Sequence, residues 1–317
     1  MRQPQDGTEK RNARRECKVR KERAVMNILR TLLLTSLLLA WLSACGGKTE
    51  PNRPATEPLE TEPSAAAGQD AAKPDEDTEP SVIEGSEIEE ETIEIKDSAD
   101  GQPLLTACVT RPDVTGLVDG AAKRAIDRYY DACYREEKEW WVGGLADFAR
   151  ENKKSAADCG GTFLPFTVME SSEIVYDGSA FLAIRRDVEA YTGGAHGSHM
   201  VYCENFRKAD GELVTMADVF RTEDYKSVIL SQIADRSSQE DTEGEYSGRD
   251  FYQNWEEMLD RSFDESSFFI GPEALTIVYQ EYDIAPYSAG TQTFLVSYSD
   301  ISNELSERFL QEIYGGK

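Results

Sequence analysis

The chain of 317 residues carries 34 basic against 60 acidic side chains, a formal charge of −26. Residues 1–45 hold ten basic and four acidic side chains, which leaves 24 against 56 in the remainder, a net of −32. A balance this acidic excludes nucleic acid as a partner, because phosphate binding needs clustered Lys and Arg. It also disfavours a protein surface lying flat on anionic lipid.

The first recognisable element is the apolar run Ile28 to Ala44, fronted by Arg30 and ended by Leu42-Ser43-Ala44-Cys45. Its uncharged part, Thr31 to Ala44, is 14 residues long, against the roughly 20 that a membrane-spanning helix needs. That is the length of a signal-peptide h-region, and small residues precede the cysteine. The arrangement reads as a bacterial lipobox, with Cys45 as the acylated first residue of a mature protein anchored to a membrane outside the cytoplasm. Residues 1–25 are polar and carry no apolar period, and Met26-Asn-Ile-Leu-Arg opens a compact signal, so the true start is placed at Met26. Residues 1–45 therefore form the signal region.

Residues 46–85 are rich in Pro, Ala, Thr and Glu. Such a segment cannot bury enough surface to offset its ordering entropy, and it reads as a disordered tether. Gly46-Gly47-Lys48-Thr49 ends like a phosphate-binding loop, but Leu42 stands where the motif needs its first glycine. No cofactor is expected.

The folded body starts near Glu87. Period-two alternation predicts strands over 87–95 and 104–110, the second stopped at Arg111-Pro112. A helix is expected over about 118–152, with Ile126, Tyr129, Tyr130 and Cys133 on one face and a possible break at Gly143-Gly144. Adjacent Trp140 and Trp141 point about 100° apart on a helix, which puts one in the core and leaves the other partly exposed. Strands over 163–176 and 180–191 flank Asp177-Gly178-Ser179, a hairpin signal. Another strand is expected over 201–206, turning at Ala209-Asp210-Gly211. Helices over 224–237 and 251–261, strands over 267–270, 274–279 and 291–298, and a closing helix over 302–314 complete the body. Strands and helices in mixed blocks, without a βαβ rhythm, predict an α+β fold of mainly antiparallel sheets packed with helices. Two domains are drawn, 86–205 and 206–317.

The chemistry-bearing residues are sparse. The two histidines, His196 and His199, lie in Tyr191-Thr-Gly-Gly-Ala-His-Gly-Ser-His199, with Cys203 four residues on. His-x2-His-x3-Cys could begin a zinc site, but no third histidine exists and glycines, not a helix, carry the pair. The favoured reading is a structural or ligand-positioning loop, in which Gly193 and Gly194 set the shape and His199 contributes little. A metal site on His196 and His199 and a catalytic His196 are the alternatives. No nucleophile elbow, His-Glu-x-x-His or Cys-x-x-Cys is present. With Cys45 lipidated and Cys17 removed, Cys108, Cys133, Cys159 and Cys203 remain, an even number in an oxidising compartment, and are expected to pair as two disulfides of open connectivity.

Tyr191-Thr-Gly-Gly-Ala-His196, Gly211-Glu-Leu-Val-Thr-Met-Ala-Asp218-Val-Phe220, Tyr282-Asp-Ile-Ala-Pro-Tyr-Ser-Ala-Gly290 and Phe294-Leu-Val-Ser-Tyr298 together resemble one family. It is the tandem pair of domains of unknown function in the extracellular region of the lysozyme-sensing anti-sigma factor RsiV, found also in the non-catalytic part of some peptidoglycan deacetylases. The resemblance spans about 87–314 and implies an extracytoplasmic α+β binding or sensing module. It marks Tyr191, Gly193, Gly194 and His196, with Pro286, Tyr287 and Gly290, as candidate ligand loops. The anti-sigma relatives carry a sigma-binding region and a membrane span where this chain has a lipobox, and the deacetylases carry a catalytic domain whose Asp/His motif is not found here, so neither transcription control nor deacetylation transfers. The expectation is a lipid-anchored envelope protein whose partner is a cell-wall component or a cationic protein such as lysozyme. The alternative is an envelope hydrolase or metal-dependent enzyme built around His196.

Overall fold

The computed structural model describes residues 90–239 and 251–315. Cys45, the signal region and the expected tether lie outside the described residues. Within them the fold is α+β, built on a five-stranded sheet and a three-stranded sheet.

The first sheet contains β1 (Glu90–Lys96), β2 (Pro103–Thr110), β3 (Phe166–Asp177), β4 (Phe181–Tyr191) and β5 (Ser198–Arg207), in the order β1-β2-β3-β4-β5. Every pairing is antiparallel except β2 with β3, which run parallel. A parallel neighbour needs a long crossover, and here it is helical: α1 (Gly120–Trp140), one π turn (Trp141–Leu145) and α2 (Ala146–Asp158). Asp119 starts α1 by accepting from the backbone N–H of Ala121 and Ala122, both at 2.8 Å, the N-cap role that suits Asp. Ala122, Ile126, Tyr129, Tyr130 and Cys133 form its buried stripe.

The expected break at Gly143-Gly144 is instead a π turn that carries the helix onward. The six-membered ring of Trp140 lies across Gly144, where a Cβ would come within 2.1 Å of it. Only glycine leaves room for the indole there. Trp141 is buried and Trp140 half-buried, so the adjacent tryptophans divide as their 100° separation predicts.

After β5 the chain turns back on itself. Gly211, at φ +75°, passes so close to α1 that a Cβ would meet the Ala122 carbonyl oxygen at 2.4 Å. Helices α3 (Met216–Val219), α4 (Tyr225–Gln239) and α5 (Trp255–Ser262) follow, then β6 (Phe268–Ile270), β7 (Ala274–Tyr279), β8 (Gln292–Ser297) and α6 (Glu307–Tyr314). The second sheet is antiparallel, in the order β6-β7-β8. The boundary drawn between residues 205 and 206 lies inside β5. The two sheets share apolar packing, because Ala183, Val201 and Cys203 of the first meet Phe269 and Val278 of the second. Asn205 joins them with polar contacts. Its side-chain amide donates to the Phe268 carbonyl and its oxygen accepts from Ile270 N–H, both at 2.8 Å.

The helix-covered face of the first sheet buries a charged group. Arg186 on β4 is 2% exposed and contacts Glu137 at 2.8 Å, Glu170 at 3.1 Å and Glu204 at 3.3 Å. Its guanidinium also lies 4.3 Å from the centre of the Tyr202 ring. Tyr129 and Tyr130 donate to the two oxygens of Glu204 at 3.0 and 2.6 Å. Burial opposes the charge on Arg186, but the three carboxylates hold the guanidinium ionised well above its ordinary range.

The expected disulfides are corrected. Among the described residues no disulfide joins Cys108, Cys133, Cys159 and Cys203. Cys108 on β2 and Cys203 on β5 are three strand spacings apart, about 14 Å, against a bridging limit of about 7 Å between Cα atoms. Cys133 packs on the helix-covered face with Ile126 and Phe206, whereas Cys203 packs on the opposite face. Cys159, at the far end of α2, lies about 39 Å from Cys133 along the helical path at 1.5 Å per residue.

Candidate functional site

The turn between β4 and β5 and the loop after β7 are distant in sequence and meet in space. Residues 192–197 form the turn, in which Gly193 and Gly194 adopt φ +94° and +96°, conformations that a Cβ would strain. The Tyr191 hydroxyl donates to the Gly194 carbonyl at 3.2 Å and ties the turn to the end of β4. The other loop is clipped to β5 by one side chain. Gln280 accepts from Val201 N–H at 2.9 Å and donates to the Val201 carbonyl at 2.8 Å, so its amide completes the sheet edge as a further strand would. Asp283 then accepts from Gln280 N–H at 2.8 Å. Ile284 and Ala285 anchor the loop in the core, Pro286 opens a short 3-10 turn (Tyr287–Ala289), and Gly290 leaves it at φ +66°.

This geometry sets three rings together. His196 stacks on Tyr287 with centroids 4.0 Å apart and planes 20° from parallel. Tyr282 lies 6.0 Å from Tyr287 at 28°. His196 Nδ1 sits 2.7 Å from the Gly197 carbonyl, an acceptor only, so Nδ1 carries the proton. The Tyr282 hydroxyl therefore donates to Nε2, at 3.2 Å. Both imidazole nitrogens are thus engaged by the protein. Tyr282 is 40% exposed and is the only non-glycine residue with positive φ among the described residues, at +67°. A left-handed conformation at a bulky residue is a true backbone outlier.

Carboxylates border the rings. Glu281 is half-buried and accepts from His199 N–H at 3.3 Å. Burial pushes its carboxyl up, partly countered by that N–H, and nearby Glu189 adds to the rise. His199 differs from expectation. It lies in β5 rather than in the turn, and its Nε2 is 2.6 Å from Asp187 Oδ1, while Arg185 forks onto the same carboxylate with two 2.7 Å bonds. Burial raises the Asp187 carboxyl, but Arg185 and His199 outweigh it and hold the group below its ordinary value. The two histidines therefore serve different partners. Among the described residues no three His, Cys, Asp or Glu side chains are grouped to hold a metal ion.

These contacts set a mutational order. Gly194→Val forces a β-branched residue to φ +96° and should cost on the order of 1–3 kcal/mol, more than His196→Gln. His199→Gln should cost about 1 kcal/mol through the lost Asp187 contact rather than pass silently. Urea midpoints of the three variants check the order; a His199→Gln protein as stable as wild type would remove His199 from the account.

Tyr282 and Tyr287 fall within a segment that family comparison identifies. Residues 217–299 match the DUF3298 family, described as a protein of unknown function. The matched DUF3298 segment runs from α3 through β8 and carries the loop with both tyrosines, whereas His196 lies outside it. The crystal structure of a DUF3298 family member from Bacteroides fragilis NCTC 9343 is similar to this chain with a TM-score of 0.51 and 18% identity, over 72% of this chain and 98% of that one. A DUF3298 family protein from Pseudomonas aeruginosa PAO1 gives a TM-score of 0.41 and 13% identity, over 71% of this chain and 97% of that one. The first is a likeness of fold alone. No curated protein matches the chain.

Of the positions expected to matter, the fold brings His196 and Tyr287 into contact and places Gly193, Gly194, Pro286 and Gly290 at the bends that shape the two loops. The sequence reading missed Tyr282, Gln280 and Glu281. Tyr282 opened a quoted motif, but nothing in the residue order signals that a tyrosine takes a left-handed backbone conformation.

Proposed function

We propose that this chain is an extracytoplasmic binding or sensing protein of the bacterial cell envelope, held to its membrane by lipid on Cys45, with the 192–197 turn and the 282–290 loop as its ligand surface. The observation that carries the reading is Tyr282, a large ring held exposed at φ +67° beside Tyr287 and His196. Strain of this kind costs on the order of 1–3 kcal/mol and persists where the surroundings enforce it, commonly at ligand sites. Stacked rings bordered by Glu281 suit a sugar face or a cationic chain, which fits a cell-wall component or a basic protein such as lysozyme. Binding is favoured over hydrolysis or metal chemistry at His196 because Gly197 and Tyr282 already occupy both ring nitrogens.

Two measurements test the proposal. Mass spectrometry of the membrane fraction should find a mature chain that begins at diacylglyceryl-modified Cys45; an intact N-terminus upstream of Met26 would sink the anchor. Titration of the detergent-solubilised full chain with wall fragments and with lysozyme should give saturable binding to one of them. Turnover of wall material that is lost in His196→Gln would instead favour the hydrolase.

A further inference from the structure

The buried cluster around Arg186 holds more negative charge than one guanidinium can balance. Glu137 and Glu170 contact the same Arg186 Nη1, at 2.8 and 3.1 Å, so those two carboxyl oxygens lie within about 6 Å of each other. Like charges this close disfavour joint ionisation. Their other oxygens, Glu137 Oε2 and Glu170 Oε2, are buried and have no hydrogen-bond partner among the described residues. A buried carboxylate oxygen left in that state carries a desolvation cost that a donor would remove. The third carboxylate, Glu204, already accepts from Tyr129 and Tyr130. Arg186 forms an ion pair with each of the three carboxylates.

We propose that Glu137 and Glu170 share one proton at neutral pH, with the Glu137 carboxyl donating to Glu170, and that this proton is a pH-sensitive latch between α1 and the five-stranded sheet.

The titratable groups of the cluster around Arg186 come from each of its elements. Cys133 and the two tyrosines lie on α1, Glu170 on β3, Arg186 on β4 and Glu204 on β5. Arg186 favours ionisation of Glu137, but burial and the Glu170 charge outweigh it and raise the Glu137 carboxyl to about 8. The Glu137 side chain keeps 27% of its surface exposed, which sets it at the margin of the buried cluster. The folded chain holds this proton more tightly than the unfolded chain, so folded stability falls as pH rises from about 4.5 towards about 8 and levels beyond it. Acid pH keeps the latch closed, and mildly alkaline pH opens it.

Chemical unfolding of the full chain from pH 5 to 9, for wild type and Glu137→Gln, tests this. Glutamine keeps a donor for Glu170 and cannot ionise. The wild-type unfolding constant should rise by up to about tenfold per pH unit relative to Glu137→Gln between pH 5 and about 8 and level beyond it, so that the variant is the more stable protein at pH 9. Parallel pH profiles for the two proteins would overturn the proposal. If Glu137→Gln fails to fold, infrared spectroscopy of wild type decides: a protonated-carboxyl stretch should be present at pH 7, fade near pH 8, and be missing from Glu170→Gln. No such band at pH 7, or stabilisation of wild type by added calcium at pH 8, would contradict a shared proton.

Discussion

Replacing Arg186 with methionine should destabilise the protein more than any other single change considered. Methionine fills much of the same space but takes from Glu137, Glu170 and Glu204 the guanidinium that all three contact. Removing one partner of a buried ion pair costs about 3–5 kcal/mol, because the remaining charge stays buried, and here more than one carboxyl group loses the same partner. Against a typical total stability of roughly 5–15 kcal/mol, the variant should unfold at markedly lower urea. The deficit should shrink towards pH 5, where protonated carboxyls no longer repel one another. A loss below about 1 kcal/mol at pH 7, or one that does not vary with pH, would mean that Arg186 is not the charge holding this face together.

Asn205→Ala should have the next largest effect. The side chain is 2% exposed and bonds both the carbonyl of Phe268 and the N–H of Ile270. Alanine leaves both backbone groups unsatisfied at the junction of the sheets, at about 1–3 kcal/mol for each. Asn205→Asp should be nearly as harmful, because a carboxylate cannot donate to the Phe268 carbonyl and brings a buried charge. Hydrogen exchange should locate the damage: amides of β6 should lose protection first. Equal loss of protection across β1–β5 would show that Asn205 does not specifically hold β6.

Much of this fold was legible in the sequence because apolar periodicity is a local signal. The alternation over 87–95, the Asp177-Gly178-Ser179 hairpin and the 118–152 stripe each reported their own element. The exceptions share a non-local cause. At the π turn Trp140 takes the space over Gly144, a contact between side chain and backbone that a helical period does not encode. Even cysteine number suggested two bridges, but strand order sets Cys108 and Cys203 apart and the sheet lies between Cys133 and Cys203. His199 appeared idle because the residue it needs, Asp187, sits on the neighbouring strand. The candidate site was half legible: its motifs marked both loops, whereas their meeting, and the conformation of Tyr282, depend on the hold of Gln280 on Val201.

The most direct test of the ligand surface is the affinity of Tyr282→Gly for wall fragments and for lysozyme, measured beside its stability. Glycine adopts φ +67° without a Cβ penalty, so relief of strain should offset the lost ring contacts and keep stability within about 1 kcal/mol of wild type. Binding should nonetheless weaken by at least roughly tenfold, as expected when an exposed aromatic anchor is removed. A stable Tyr282→Gly protein that binds the wild-type ligand with unchanged affinity would contradict the assignment of these loops as the ligand surface.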